Sequence, residues 1–264
     1  MLYVINYANK KYRRAQILNS KTAKKVGKAD VVIEYSEKDI DNDFYEKNKK
    51  ILSYSKGNGY WLWKSYIVNK TLAKLEYGDY LMYCDSGAYF INDIHYLINS
   101  MEEYKHDIMC FKISTIEKEW TKRDAFIILD CDSKKYTDTN QNAGTFLVVK
   151  KTKNSEKVLK EWLEYAQDER MITDMKNQLG KDNYDGFREH RHDQSILSLL
   201  YKKNSYQSFR DPSQYGNDIK MDNSLYPQIV YLHRYGFVKT KLQEKVARLL
   251  LNSFLFKWRH PIKK

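Results

Sequence analysis

The most constraining feature of this sequence is the alternation of apolar runs and helical stretches in its first 36 residues. Residues 2–9 begin as an apolar run and end in polar residues, residues 11–26 are typical of a helix, and residues 29–36 form a second apolar run. Strand, helix and strand within so short a length is the βαβ unit that begins a parallel sheet. We therefore predict an α/β fold.

A third strand, Tyr80 to Cys84, is predicted within GDYLMYCDSGAYF and stops at Asp85, Ser86 and Gly87. α/β proteins place their chemistry at the carboxyl ends of such strands. A carboxylate held there can bind a divalent cation, which in turn can bind phosphate. A plain turn explains the same residues equally well, because Asp, Ser and Gly all favour turns. The first strand ends at Asn6, Tyr7 and Ala8, where nucleotides commonly bind in such folds. An ordinary turn between strand and helix is the alternative interpretation there.

Lys64 belongs to the first turn of another predicted helix, beside Trp61 and Trp63. A cation in the first turn opposes the helix dipole, which favours an anionic partner for it. The alternative is a lysine that extends past core tryptophans to solvent.

Two further segments combine small or polar residues with the start of a regular element. Asn142, Ala143 and Gly144 lead directly into a predicted strand at 145–149, where small residues let a ligand approach the backbone. Asp193 and Gln194 precede an amphipathic helix, for which Asp193 has the alternative role of N-cap. Lys122, Arg123 and Asp124 begin a further predicted helix, and a solvated charged face is the favoured interpretation there.

The charge balance favours an anionic partner. Lys and Arg number 46 against 34 Asp and Glu, a net charge of +12, as expected for proteins that bind nucleic acid, an anionic membrane or a phosphorylated substrate. No zinc-finger or aromatic RNA-binding signature is present, so we expect no nucleic-acid partner. Three cysteines without metal-type spacing, no signal-peptide pattern and no apolar run of about 20 residues favour the cytoplasm.

Residues 241–264 form a basic amphipathic tail. Its Leu, Phe and Trp residues are flanked by Lys and Arg, a pattern typical of helices that lie on anionic membranes. Docking of this helix on the domain is the alternative. We expect the tail to place the protein at the inner membrane face.

Four of the segments occur together, in this order, in one known group of enzymes. The chain resembles nucleotide-sugar glycosyltransferases of the GT-A fold, and in detail family 8, the retaining group that includes glycogenin and bacterial lipopolysaccharide galactosyltransferases. The segments are YCDSG at 83–87, NAG at 142–144, DQ at 193–194 and HRYGFVK at 233–239. GYWLWKSYI and HRHDQSILSLL also look like bacterial enzymes of capsule and lipooligosaccharide gene clusters.

The resemblance implies a Rossmann-like GT-A domain over residues 1–240, with a mixed, mostly parallel central sheet. It implies that Asp85 and His233 bind a divalent cation, Mn²⁺ or Mg²⁺, and that Lys239 and the backbone of Gly236 grip the diphosphate of a UDP-linked donor. Lys64 falls where the family has a basic residue that reaches the donor. The donor-binding set is therefore Asn6, Tyr7, Ala8, Lys64, Asp85, Ser86, Gly87, Asn142, Ala143, Gly144, Gly236 and Lys239.

Gly87 is a departure from the family, which has a second Asp at this position. Without that second Asp, Asp85 is the one carboxylate of the motif that can bind the cation. We therefore expect either a low affinity for the metal or basic residues that share its role in binding the diphosphate. By the same resemblance, Asp193 and Gln194 face the anomeric carbon and the acceptor. Asp193 acting as a general base would give inversion instead of retention.

The sequence thus predicts a glycosyltransferase that moves a sugar from a nucleotide-diphosphate donor to a glycan or lipid-linked acceptor in capsule or lipooligosaccharide synthesis. A sugar-nucleotide pyrophosphorylase is one alternative, but NYANKKYRRAQ lacks the Gly-rich phosphate loop expected near its amino terminus. A non-catalytic nucleic-acid-binding protein is the other. It would account for the charge but leave Asp85, Asp193 and His233 without a purpose.

Overall fold

The computed structural model describes residues 1–233 of the 264-residue chain. Gly236, Lys239 and the basic tail at 241–264 lie outside the described residues. The strands are β1 (Leu2–Tyr7), β2 (Val31–Tyr35), β3 (Tyr80–Cys84), β4 (Ala88–Phe90), β5 (Ile108–Met109), β6 (Phe111–Ile116), β7 (Asn140–Asn142), β8 (Phe146–Lys150), β9 (Phe209–Arg210) and β10 (Val230–Leu232).

Twelve α-helical segments connect these strands within the described part of the chain. They are α1 (Arg13–Lys25), α2 (Asn42–Lys47), α3 (Lys49–Leu52), α4 (Gly57–Tyr60), α5 (Leu62–Leu72), α6 (His95–Glu103), α7 (Glu117–Trp120), α8 (Arg123–Ile128), α9 (Lys134–Thr137), α10 (Lys153–Ala166), α11 (Glu169–Ile172) and α12 (His192–Lys203). No helix among residues 1–233 is both long enough and apolar enough to cross a membrane.

The central sheet has five strands in the order β2-β1-β3-β8-β5. β1 pairs in parallel with β2 and β3, whereas β8 is antiparallel to both β3 and β5. Four strands therefore run in one direction and one runs in the other. The predicted α/β fold with a mixed, mostly parallel sheet is confirmed, as is the opening βαβ unit formed by β1, α1 and β2.

Successive residues of the central strands point to opposite faces of the sheet, and each face has its own apolar cluster. Leu81 and Tyr83 of β3 pack with α5, α10 and α12 on one face. Met82 and Cys84 pack with α6 and the small β4–β10 sheet on the other. Burial on both faces explains why these strands lack an apolar–polar alternation in the sequence.

The sequence of residues 106–114, HDIMCFKIS, predicts one strand, but the structure has two there, because the chain changes sheets at Cys110. β5 ends the central sheet, and β6 joins β7 and β9 in a separate three-stranded sheet. Residues 115–130, whose sequence predicts one helix, likewise contain two short helices, α7 and α8. This second sheet places β7, which contains Asn142, beside α12.

Candidate active site

The carboxyl ends of β1 and β3 are neighbours, and they bring two of the predicted segments together. The Ser86 hydroxyl donates a hydrogen bond to the Tyr7 carbonyl, 2.7 Å away. The Asp85 amide donates to the Thr145 carbonyl at 3.0 Å, which ties the end of β3 to the start of β8. The Tyr83 hydroxyl donates to the Asp85 carboxylate. Residues 85–87 are a turn, and that turn is anchored on three sides.

Lys64 connects this turn to the other predicted segments. Its Nζ lies 2.8 Å from the Gly144 carbonyl oxygen, 2.9 Å from an Asp193 carboxylate oxygen and 3.8 Å from an Asp85 carboxylate oxygen. The lysine side chain is 5% exposed, so it does not extend to solvent. Three segments that are distant in the sequence thus meet at one buried ammonium group.

Charge and burial set the ionisation of this cluster. Burial alone would lower the pKa of Lys64, but the neighbouring Asp193 and Asp85 outweigh it, and the pKa lies above its ordinary value. Burial raises the pKa of Asp193 to about 6, against the opposing effect of Lys64. Near neutral pH the cluster is therefore a buried lysinium held between two carboxylates.

Asp193 is not the N-cap of α12. That helix begins at His192, so Asp193 lies inside its first turn and turns its side chain to Lys64. Gln194, the next residue, accepts a hydrogen bond from the Gly144 amide at 3.0 Å. A Cβ added to Gly144 would lie 2.9 Å from the Gln194 Cβ, so only glycine allows this approach.

An open cavity of about 610 Å³ lies against this cluster. The predicted site residues that line it are Tyr7, Ala8, Asp85, Ser86, Gly87 and Gln194. Its volume lies within the range of small-molecule sites. The same cavity is thus lined by residues at the carboxyl ends of β1 and β3 and by the first turn of α12.

Among residues 1–233, five of the predicted donor-binding residues do not line the cavity: Asn6, Lys64, Asn142, Ala143 and Gly144. Asn6 turns beneath α1, where its Nδ2 donates to Asn19 at 2.8 Å and to Ser20 at 3.0 Å. Ala143 is buried, and its amide donates to the Phe111 carbonyl at 2.7 Å. Asn142 is 2% exposed, and neither polar atom of its side chain has a hydrogen-bond partner among residues 1–233. Such an orphaned buried amide is costly unless a ligand or a water completes it.

The sequence interpretation missed a strained turn that forms one wall of the cavity. All five residues of the segment 57–61 have positive φ, and Asn58, Tyr60 and Trp61 are not glycines. Left-handed backbone costs such residues roughly 1–2 kcal/mol each, and strain of this kind clusters at functional sites. The Gly-Asn-Gly pattern was the available signal, since Gly and Asn are the residues that tolerate φ > 0.

Aromatic rings hold that turn against β1. The Asn58 amide donates to the Tyr7 hydroxyl at 2.6 Å. The rings of Tyr7 and Trp63 are stacked with their centroids 3.8 Å apart. Trp61 lies on His192 at 5.4 Å, and Arg191, whose guanidinium packs over Trp120 at 4.2 Å, also lines the cavity. The cavity therefore has aromatic walls on the side of α5 and a cationic residue beside α12.

His233 is joined to the turn after β3 by the backbone. Its amide donates to the Gly87 carbonyl at 2.9 Å, because β10 pairs with β4 just beyond the turn. Burial lowers the pKa of His233, which favours the neutral imidazole that a metal requires. Within residues 1–233 no group of three or more His, Cys, Asp or Glu side chains could hold a metal ion. The assignment of Asp85 and His233 as metal ligands therefore stays a prediction, and a cation held by these two alone would need further ligands from phosphate and water, as Mg²⁺ commonly takes.

Lys122 and Asp124 are buried, so the interpretation of a solvated charged face is wrong for these two residues. Lys122 Nζ donates to the carbonyls of Thr173 and Met175, and Asp124 accepts from the Gln178 amide at 2.7 Å. They fasten the segment after α11 to the domain and have no part in the cavity.

No family model matches the sequence, and no curated protein matches it. Among solved structures, galactosyltransferase LgtC in complex with donor and acceptor sugar analogues is similar over 95% of both chains, with 11% identity and a TM-score of 0.50. Mouse xyloside xylosyltransferase 1 covers 88% of this chain and 96% of its own, at 9% identity and a TM-score of 0.46. GlyE of Streptococcus pneumoniae TIGR4 has 13% identity and a TM-score of 0.45, and this chain covers 66% of its length. The likeness to LgtC, together with the sheet order, shows that the chain has the GT-A glycosyltransferase fold.

Proposed function

We propose that the protein is a glycosyltransferase that moves a sugar from a nucleotide-diphosphate donor to an acceptor hydroxyl. The observation that carries the proposal is the meeting of Asp85, Gly144 and Asp193 at the buried Lys64 ammonium, against a cavity of about 610 Å³. Two carboxylates around one ammonium give the cluster a net negative charge, which suits a divalent cation, and a cation held at the carboxyl ends of parallel strands can bind a diphosphate.

The reaction needs stabilisation of the charge that grows on the departing diphosphate. Lys64 does not line the cavity and would act through Asp85, whose carboxylate lines it and lies 3.8 Å from the Lys64 Nζ. Asp85 and His233 would hold a divalent cation, which supplies positive charge at the phosphate oxygens when bound. The Asp85 side chain is 39% exposed, so its carboxylate is accessible to that cation.

We propose that the sugar is transferred with retention. Asp193 is buried, is paired with Lys64 and does not line the cavity, which makes it a poor general base for an acceptor. In the retaining step the bond between the anomeric carbon and the phosphate oxygen breaks, and the acceptor oxygen forms the new bond on the same face. The acceptor proton passes to the leaving phosphate oxygen. Gln194 lines the cavity and would stabilise the positive charge at the anomeric carbon.

The remaining parts of the proposal rest on the sequence resemblance. Gly236 and Lys239 would complete the grip on the diphosphate, and the donor would be UDP-linked. The acceptor would be a glycan or a lipid-linked sugar of capsule or lipooligosaccharide synthesis. The tail at 241–264 would bind the anionic inner face of the membrane.

A thermal-shift screen against UDP, GDP and CMP sugars, with and without Mn²⁺, tests the function. We expect one nucleotide class to raise the melting temperature, and Asp85→Asn to remove that shift while the apo melting temperature changes little. No shift with any donor, at concentrations that saturate known transferases, would contradict the proposal. The anomeric configuration of the product then tests retention, since an inverted product requires a general base.

A further inference from the structure

Beneath Gln194 lies a chain of buried polar side chains that begins at Glu117. Glu117 is completely buried at the start of α7. Its carboxylate accepts hydrogen bonds from Lys202 Nζ at 2.6 Å, from Thr121 at 2.9 Å and from the Ser198 hydroxyl. A buried charge requires such compensation, so Glu117 is a fixed acceptor.

The charge of Glu117 sets the orientation of the next side chain. Gln141 Nε2 lies 3.2 Å from a Glu117 carboxylate oxygen. A carboxylate accepts hydrogen bonds, so Gln141 must turn its NH₂ group to Glu117 and its carbonyl oxygen away. That oxygen accepts from Gln194 Nε2 at 2.6 Å. The amide of Gln194 therefore has its nitrogen toward Gln141.

The orientation of Gln194 decides which atom it presents at the site. With its nitrogen on Gln141, its Oε1 is left to accept from the Gly144 amide at 3.0 Å. The Gly144 carbonyl is itself bonded to Lys64. A flipped Gln194 would set two oxygens against each other at Gln141 and two donors against each other at Gly144. The relay from Glu117 thus keeps an oxygen, with its partial negative charge, on the side of the Lys64 cluster.

We propose that Glu117 and Gln141 are positioning residues that hold the Gln194 carbonyl oxygen where positive charge develops on the anomeric carbon. The inference rests on the proposed function, because it assigns Gln194 that location. Neither Glu117 nor Gln141 lines the cavity, so both act through Gln194. Preorganised dipoles aimed at developing charge are a large contribution to enzymatic rate.

Gln141→Met removes the relay and preserves the volume of the side chain. We expect kcat to fall roughly 10- to 100-fold, as for other small losses of alignment, with KM for the donor within about twofold of wild type. Gln16→Met is the matched control. Gln16 is also a buried glutamine, it does not line the cavity, and it donates to the Tyr35 carbonyl at 2.8 Å. It should alter stability and leave kcat unchanged.

Gln141→Glu tests the direction of the hydrogen bonds. When protonated, the introduced carboxyl group can donate to Glu117 and accept from Gln194. When ionised, it faces a like charge at Glu117, whose own cationic partner is Lys202. Two adjacent carboxylates share a proton and raise one pKa. The kcat of Gln141→Glu relative to wild type should therefore rise as the pH is lowered, and that of Gln141→Met should not.

A readout that does not need activity separates this inference from the proposed function. In ¹H–¹⁵N spectra of wild type, the side-chain NH₂ signals of Gln194 should lie away from the chemical shifts of free glutamine, and their hydrogens should exchange slowly with solvent. In Gln141→Met these signals should move toward the chemical shifts of free glutamine. An unchanged Gln194 signal, or a kcat within about twofold of wild type, would overturn the relay. Should Gln141→Met fail to fold, Gln141→Glu carries both readouts. Absence of transfer by wild type, with the amide behaving as expected, would refute the function alone.

Discussion

The Nζ of Lys64 lies 2.9 Å from a carboxylate oxygen of Asp193, and both side chains are at most 5% exposed. This pair joins α5 to α12 across the end of the central sheet. It also places a permanent positive charge 3.8 Å from Asp85. This buried ion pair therefore joins two helices of the domain and lies next to Asp85, whose carboxylate lines the cavity.

Removal of one partner should cost far more stability than removal of both. Lys64→Met leaves Asp193 buried without its cation, and such losses typically cost about 3–5 kcal/mol of unfolding free energy. Combining Lys64→Met with Asp193→Asn removes the orphaned charge, so we expect the double variant to be more stable than Lys64→Met alone. Urea denaturation of the four proteins measures this. Simple additivity of the two single changes would show that the pair is not coupled.

Activity should depend on the ionisation of Asp193. Because burial raises the pKa of Asp193 to about 6, the carboxylate is protonated below that pH and no longer anchors Lys64 as an ion pair. We expect kcat/KM to rise with pH through an apparent pKa near 6 and then to level off. Circular dichroism at each pH controls for unfolding. A flat profile between pH 5 and pH 8 would contradict this assignment.

Gly144→Ala should impair catalysis by displacing Gln194. The new Cβ would lie 2.9 Å from the Gln194 Cβ and 3.3 Å from its Oε1. We expect a stability cost of about 1–3 kcal/mol, as for other overpacked sites, together with a loss of kcat. Gly78→Ala is the comparison variant: its Cβ would meet no atom within 4 Å, but its φ is +93°. That variant should lose stability and keep the kcat of wild type.

Asp132 should stabilise the domain above about pH 4. Burial raises the pKa of Asp132, but hydrogen bonds from Arg123, Tyr184 and Lys181 outweigh it, and the pKa lies below 3.8. A lowered pKa means that the contribution is present above the unfolded pKa and is lost as the pH falls through the folded one. Asp132→Asn should therefore cost about 1–2 kcal/mol at pH 7.

The difference in unfolding free energy between wild type and Asp132→Asn should shrink as the pH falls below 4. Equilibrium urea denaturation at several pH values measures it. A difference that stays constant with pH would show that the charge of Asp132 is not the source of the stability.

Local patterns were sufficient for much of this fold. The βαβ unit, the strand before Asp85 and the helix with Lys64 in its first turn are all present at the predicted places. Each is specified by residues close in the sequence, where hydrophobic period and turn residues act directly. The change of sheet at Cys110 was missed, because an uninterrupted apolar run does not show which partner strand each half will pair with.

Within the site, the sequence identified segments but not their contacts. Asp85, Gly144 and Asp193 were each singled out, yet their meeting at Lys64 depends on how α5 and α12 pack against the sheet. The relay from Glu117 through Gln141 had no sequence signal, since both residues look like ordinary polar positions. Long-range hydrogen bonds between buried side chains leave no period in the sequence.

The most direct test of the central claim is the rate of sugar transfer by wild type and by the Asp85→Ala, His233→Ala double variant. Release of the free nucleoside phosphate from the donor identified by thermal shift measures that rate. We expect wild type to turn over and the double variant to lose transfer, by at least about 100-fold, with an unchanged circular dichroism spectrum. Full activity in the folded double variant would contradict the assignment of this cavity as the site of sugar transfer.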